Sequence, residues 1–112
     1  MADPSTLDLE ITESDVGVLI APTGDLDMAT AETLATQAGQ VLSRSPDVLT
    51  IDLSGVPFCD SAGINVLVRL RNECDREKTD FRIIYPQPHV RMVLEITGVS
   101  EFLNLVPPDP QA

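Results

Sequence analysis

Residues 49–68 read LTIDLSGVPFCDSAGINVLV and contain the transition that decides the fold. The stretch begins as a short apolar, β-branched run, turns at Gly55, and becomes an amphipathic pattern from Asp60 onward. Asp or Ser before such a pattern is typical of an N-cap, because its side-chain oxygen accepts a hydrogen bond from a free backbone N–H of the first helical turn. The stretch therefore predicts a strand-to-helix corner with the Ser61 hydroxyl beside an acid and a glycine.

The residues before this corner predict a hairpin and a helix. Apolar and polar residues alternate over 7–11, which is the pattern of a half-buried strand, and residues 16–21 predict its antiparallel partner. Residues from about 28 or 29 to 42 place their apolar side chains at helical spacing, with Asp27 as the expected N-cap.

The residues after the corner predict alternating helices and strands. The helix after Asp60 is expected to run to about Lys78, followed by a strand over 81–85 and a helix from 88 or 89 to 96. Gly98 stands where a glycine commonly ends a helix. A last short strand is predicted over the apolar run 102–106.

This order predicts one α/β domain over residues 7–106, between a flexible N-terminal tail, 1–6, and a Pro-rich C-terminal tail, 107–112. Its mixed β-sheet would begin with an N-terminal antiparallel hairpin and continue as βαβαβ. The alternation of strand and helix implies parallel strands with right-handed crossovers. We expect the helices to lie mainly on one face.

Composition excludes several functions. The net charge of −11 repels nucleic-acid phosphates and anionic membranes. There is neither a basic-then-apolar leader nor an apolar run of the ~20 residues needed to span a bilayer, so we expect a cytoplasmic protein without membrane insertion. The sequence does not decide between a monomer and a weak dimer.

The sequence offers no cofactor or metal site. It lacks the glycine-rich motifs that hold nucleotide phosphates, and a single histidine, His89, with two cysteines gives no zinc-binding pattern. Cys59 and Cys74 would lie ~20 Å apart along a helix with a rise of 1.5 Å per residue, too far for a disulfide. Cys59 is interpreted as a small apolar residue under the corner, with a redox sensor as the alternative.

Ser61 has three possible roles on the residues alone. It could cap the helix, or it could accept a phosphate, which the free N–H groups and the positive helix end would accommodate. A nucleophile is disfavoured because residue 59 is Cys where a nucleophile elbow has Gly, and His89 is not placed by any motif as a base. We therefore predict that the chain is not an enzyme.

Three short motifs carry a resemblance to a known family. Residues 60–64, DSAGI, resemble the D-S-[ST]-G-[LI] signature of the STAS domain family, which is named for sulfate transporters and anti-sigma factor antagonists. Residues 24–27, GDLD, are similar to the family's G-[ED]-[LI]-D marker, and residues 96–99, ITGV, are similar to its late [IM]-[TS]-G-[LV] turn. The three motifs stand in family order over nearly the whole chain.

The resemblance implies an anti-anti-sigma factor that binds an anti-sigma factor, usually a GHKL-type serine kinase, and so frees a sigma factor. It also implies that this kinase phosphorylates Ser61, which breaks the complex, and that a PP2C-type phosphatase restores it. The alternative is a STAS interaction subunit without a kinase, in a lipid-transport ABC complex or a stressosome-like scaffold.

The docking face is predicted to combine the loop 24–28 with the helix start 60–65. The expected partner-contact residues are Asp25, Asp27, Met28, Asp60, Ala62, Gly63, Ile64 and Asn65. Two of them depart from the family pattern: Ala62 stands where Ser or Thr is usual, and Asn65 where Gly is common. Asp25 and Asp27 are equally interpretable as solvated turn and cap residues, and Met28 as a buried contact at the helix start.

Overall fold

The computed structural model describes residues 6–107, so the predicted tails lie outside the described residues apart from Thr6 and Pro107. This part of the chain forms four strands and three helices. In chain order they are β1 (Asp8–Ser14), β2 (Gly17–Thr23), α1 (Ala31–Leu42), β3 (Val48–Asp52), α2 (Ser61–Arg76), β4 (Asp80–Ile84) and α3 (Pro88–Ile96).

The four strands form one mixed sheet in the order β1-β2-β3-β4. β1 pairs antiparallel with β2, whereas β2–β3 and β3–β4 are parallel. The predicted hairpin followed by βαβαβ is therefore confirmed. Because β2, β3 and β4 point the same way, the loops that follow them emerge together at one edge of the sheet, which we call the carboxyl edge.

Alternate residues of the inner strands build the core. The buried strand side chains form one hydrophobic cluster with the buried faces of the helices, which agrees with the prediction that the helices lie mainly on one face of the sheet. From the parallel strands the cluster takes Val18, Ile20, Leu49, Ile51, Phe81 and Ile83, and from the first two helices Leu34, Ala38, Val41, Val66, Leu67 and Leu70. Among the helices of residues 6–107, none combines the length and the hydropathy of a membrane-spanning segment.

The predicted last strand over 102–106 is wrong. A backbone hydrogen bond of 2.8 Å from Leu103 N to Val99 O turns the chain helically and buries Leu103 completely. Asn104 then adopts a positive φ of 54°. Only Leu105 forms a single bridge, to Ile83 of β4.

Two helix ends differ in how well they were predicted. α2 stops at Arg76, two residues before the predicted end, and Lys78 is left-handed with a φ of 59°. α3 ends as predicted, since Gly98 has a φ of 77° and donates to Glu95 O at 3.1 Å. Val99 N donates to Leu94 O at 3.2 Å, which completes a Schellman motif.

Candidate functional site

Two loops lie side by side at the carboxyl edge. Gly24 N donates to Gly55 O at 3.0 Å, and Leu26 N donates to Phe58 O at 2.9 Å. Asp60 N donates in return to Leu26 O at 3.2 Å. These bonds extend the β2–β3 pairing beyond the strands, so the loop 24–28 and the start of α2 form one continuous corner, which we call the α2 corner.

Gly63 makes this close approach possible. A Cβ atom at this position would lie 2.5 Å from Leu26 O and 2.7 Å from Cys59 Sγ, distances that real Cβ atoms do not tolerate. The first turn of α2 therefore packs directly on the backbone of the preceding loop. Gly63 itself is buried and lies beneath the surface that its neighbours present.

Asp60 is the N-cap of α2. Its backbone is extended, and its Oδ1 accepts a hydrogen bond from Gly63 N at 3.1 Å. Ser61 is the first helical residue, exposed, and its hydroxyl has no hydrogen-bond partner within residues 6–107. The interpretation of Ser61 as the cap is therefore wrong, because the preceding carboxylate already takes that place and the hydroxyl stays free.

The start of α1 corrects another prediction. The helix begins at Ala31, not at 28 or 29, and Thr30, not Asp27, occupies the N-cap position. Asp27 instead closes the preceding turn, where its Oδ1 accepts from Ala29 N at 3.0 Å. The residues just before Ala31, which the periodicity assigned to the helix, therefore belong to the turn 27–30.

Thr30 is the structural residue that the sequence argument missed. It is fully buried, and its Oγ1 donates to Asp25 O at 2.8 Å and accepts from Asp27 N at 3.0 Å. The spacing of an Asp followed three residues later by a Thr is typical of a turn closed by side-chain hydrogen bonds, and could have indicated it. Thr30 fixes the shape of the loop that lies against α2.

The predicted contact residues differ in exposure. Met28 is 82% exposed, which contradicts the interpretation of a buried contact at the helix start. Ser61 and Asn65 are also exposed, and the half-buried members of the set are Asp25, Asp27, Asp60, Ala62 and Ile64. All except Gly63 thus present some surface, either on the loop 24–28 or at the start of α2, which the backbone hydrogen bonds join.

The two cysteines are buried thiols. Burial raises the pKa of Cys59 to about 12, and the neighbouring Asp60 carboxylate contributes to the same shift. Burial likewise raises the pKa of Cys74 to about 12. A thiol with such a pKa is protonated at neutral pH and is a poor nucleophile, which supports packing and not redox sensing as the role of Cys59.

No catalytic or metal-binding arrangement surrounds Ser61 in the described range. His89, the one histidine of the chain, is exposed at the start of α3, and no described side chain accepts the Ser61 proton. No group of three or more His, Cys, Asp or Glu among residues 6–107 could hold a metal ion. A polar cavity of ≈ 480 Å³ has Val48, Arg71 and Asp80 among its lining residues, and neither Asp60 nor Ser61 contributes to it.

Sequence comparison finds relatives that are named anti-sigma factor antagonists. The chain is 30% identical over 105 residues to the anti-sigma-F factor antagonist RsfB of Mycobacterium tuberculosis, covering 94% of this chain and 85% of RsfB. It is 26% identical over 106 residues to the antagonist RsfA of the same organism, covering 92% and 82%.

Two solved structures resemble this chain in fold. The crystal structure of an anti-sigma factor antagonist from Mycobacterium paratuberculosis matches with a TM-score of 0.85 and 28% identity, covering 99% of this chain and 93% of that one. Unphosphorylated SpoIIAA matches with a TM-score of 0.75 and 16% identity over 90% of each chain, a likeness of fold alone. The model of the STAS domain family matches residues 6–109. The chain belongs to the STAS domain family.

Proposed function

We propose that this protein is an anti-sigma factor antagonist that binds an anti-sigma factor through the α2 corner and so releases a sigma factor in the cytoplasm. Its similarity to the mycobacterial antagonists supports the general function. The observation that carries the mechanism is the Ser61 hydroxyl, which is exposed and unbonded in the described chain at the first position of α2.

Phosphorylation of Ser61 is the proposed off-switch. The first turn of a helix presents free N–H groups and a positive dipole end, so a phosphate at this position is compatible with the folded domain. It adds a charge of about −1.5 to −2 directly beside Asp60, on a surface that also carries Asp25 and Asp27. Ala62 offers no hydroxyl, so Ser61 is the acceptor of this motif.

The loss of binding free energy that such a switch requires is modest. A loss of ~3 kcal/mol in binding free energy weakens a complex on the order of 100-fold. A phosphate at the centre of the interface adds bulk that the docked partner must accommodate and a charge whose burial there costs desolvation free energy, which together are sufficient for such a loss. The switch therefore requires no change of fold.

The proposed enzymes of the switch are a GHKL-type anti-sigma serine kinase that adds the phosphate and a PP2C-type phosphatase that removes it. The net charge of −11 would steer the chain toward a basic partner surface and accelerate association at low ionic strength.

Phosphosite mapping tests this proposal. The purified protein is incubated with ATP and, in turn, each anti-sigma kinase of its source organism, and its intact mass and phosphopeptides are measured. We expect one added phosphate that is absent from Ser61→Ala. Absence of phosphorylation by every kinase, with binding unchanged in Ser61→Asp, would contradict the proposal and favour a kinase-independent interaction subunit.

A matched substitution controls for charge. Ser45 precedes β3 and lies at the opposite edge of the sheet from Ser61, and its exposed backbone has a φ of 52°, a conformation that Asp tolerates. Ser45→Asp thus adds the same charge away from the corner. We expect Ser61→Asp to weaken binding of the anti-sigma factor by at least tenfold and Ser45→Asp to leave it within about twofold.

A further inference from the structure

A third loop adjoins the α2 corner at the carboxyl edge. Leu53 N donates to Ile84 O at 3.0 Å, which continues the β3–β4 pairing past the end of β3. Gln87 Nε2 donates to Ser54 O at 2.9 Å and ties the loop after β4 to the loop after β3. The loops 24–30, 53–60 and 85–87 are therefore joined in a row by hydrogen bonds.

Each of these three loops exposes one large apolar side chain. Met28 stands on the first loop, Phe58, 43% exposed, on the second and Tyr85, 69% exposed, on the third. Exposed apolar groups on neighbouring loops are characteristic of surfaces that bind other proteins, and tyrosine is enriched among the residues that dominate binding energy.

Tyr85 is not explained by the fold. Its φ of 55° places a bulky residue in the left-handed region, where glycine or asparagine is favoured. Its ring is mostly exposed, so packing does not compensate for this conformation. A residue that is unfavourable for the backbone and contributes little to the core is better explained by what it contacts outside the chain.

The charges around the three side chains indicate what kind of surface the partner must present. The three loops carry Asp25, Asp27 and Asp60 and contain neither Lys nor Arg. A complementary protein surface must therefore bring basic side chains around an apolar depression, because buried acidic groups need positive partners. A nucleic acid or an anionic membrane would be repelled.

We propose that Tyr85, together with Phe58 and Met28, anchors the anti-sigma factor on a docking face of three loops, with the aromatic rings in an apolar depression that basic residues surround. The inference rests on the proposed function and adds a third loop, which lies outside the family motifs, to the interface. Ser61 and Tyr85 then have separable roles: one switches the interface and the other supplies affinity.

The test compares two substitutions of nearly equal exposure. Tyr85→Asn removes the ring and suits a positive φ, whereas Val16→Asn removes an apolar side chain, 70% exposed, from the β1–β2 turn at the opposite edge. The affinity of each variant for the anti-sigma factors of the source organism is measured by titration calorimetry, and stability by urea unfolding.

We expect Tyr85→Asn to weaken binding at least tenfold without lowering the urea midpoint, and Val16→Asn to bind within about twofold of the unsubstituted protein. Weak binding accompanied by a lowered midpoint would assign Tyr85 to the fold and overturn the inference. Unchanged binding of Tyr85→Asn, with Ser61→Asp still impaired, would overturn the anchor alone. If the unsubstituted chain binds no anti-sigma factor, the proposed function fails and the inference falls with it.

Discussion

The starts of α1 and α2 use the same side-chain types in opposite ways. At α1 the Thr30 hydroxyl is buried and bonded to the backbone of Asp25 and Asp27. At α2 the Asp60 carboxylate bonds the backbone N–H of Gly63, and the Ser61 hydroxyl is left exposed. One hydroxyl therefore holds a loop in shape, while the other contributes nothing evident to the fold.

This difference bears on the proposed phosphorylation of Ser61. The capping function rests on a residue that is not modified, so a phosphate on Ser61 leaves the cap of α2 intact. The neighbouring loop is held independently by Thr30. A change at Ser61 is thus expected to alter the surface and not the fold beneath it.

The largest expected effect comes from the contact of α2 with the loop 24–28. Gly63→Ala should lower the free energy of unfolding by about 3 kcal/mol, because its Cβ would meet the backbone oxygen of Leu26. The control is Gly39→Ala within α1, where a Cβ meets nothing within 4 Å and where alanine should stabilise by roughly 0.5–1 kcal/mol. Equal urea midpoints for the two variants would show that the contact is not tight.

The next largest effect on stability is expected from removal of the buried Thr30 hydroxyl, compared with removal of the exposed Ser61 hydroxyl. Thr30→Val keeps the shape but leaves Asp25 O and Asp27 N without their hydroxyl partner, which should lower the free energy of unfolding by about 2 kcal/mol. Ser61→Ala removes an unbonded exposed group and should change it by less than about 0.5 kcal/mol. Urea unfolding measures both, and a comparable loss in Ser61→Ala would contradict the distinction.

The cap of α2 predicts a smaller effect. Asp60→Ala should lower the free energy of unfolding by about 1 kcal/mol through loss of the bond to Gly63 N. Asp60→Asn keeps an oxygen acceptor and should cost only a few tenths of that amount. Circular dichroism during thermal unfolding would separate them, and an Asn variant as unstable as Ala would assign the effect to charge.

The last prediction concerns the chemical reactivity of the two buried thiols and not the stability of the fold. Because burial raises the pKa of Cys59 and Cys74 above the ordinary 9.0 to about 12, the thiolate fraction of each at neutral pH should fall about 1,000-fold. Native protein should react slowly with a disulfide reagent, faster as the pH rises, and unfolded protein should react at once. Rapid labelling of Cys59 in the native protein at neutral pH would restore the redox interpretation.

The parts of the fold that local pattern controls were predictable from sequence. Asp60 marks the start of α2 through a hydrogen bond to its side chain, and Gly98 marks the end of α3 through a backbone hydrogen bond. Both bonds lie within a few residues, so residue type and spacing sufficed. The resemblance of residues 60–64 to a STAS motif located the α2 corner, and the family is confirmed.

Features that depend on tertiary contacts were not predictable. The need for glycine at position 63 arises from Leu26, which lies far away in the chain. The apolar run 102–106 has a strand-like composition. The chain nevertheless forms a helical turn there, because this turn buries Leu103. Tyr85 gave no local signal, because its exposure and its positive φ are visible only in the folded chain.

The proposed switch requires that a phosphate on Ser61 weakens binding of the anti-sigma factor without disturbing the fold. The direct measurement is a calorimetric titration of the same anti-sigma factor with the unphosphorylated protein and with the protein phosphorylated at Ser61. We predict a loss of affinity on the order of 100-fold, equivalent to ~3 kcal/mol, with equal urea midpoints for the two forms. Equal affinities, or a loss of affinity that accompanies unfolding of the phosphorylated form, would contradict the proposed switch.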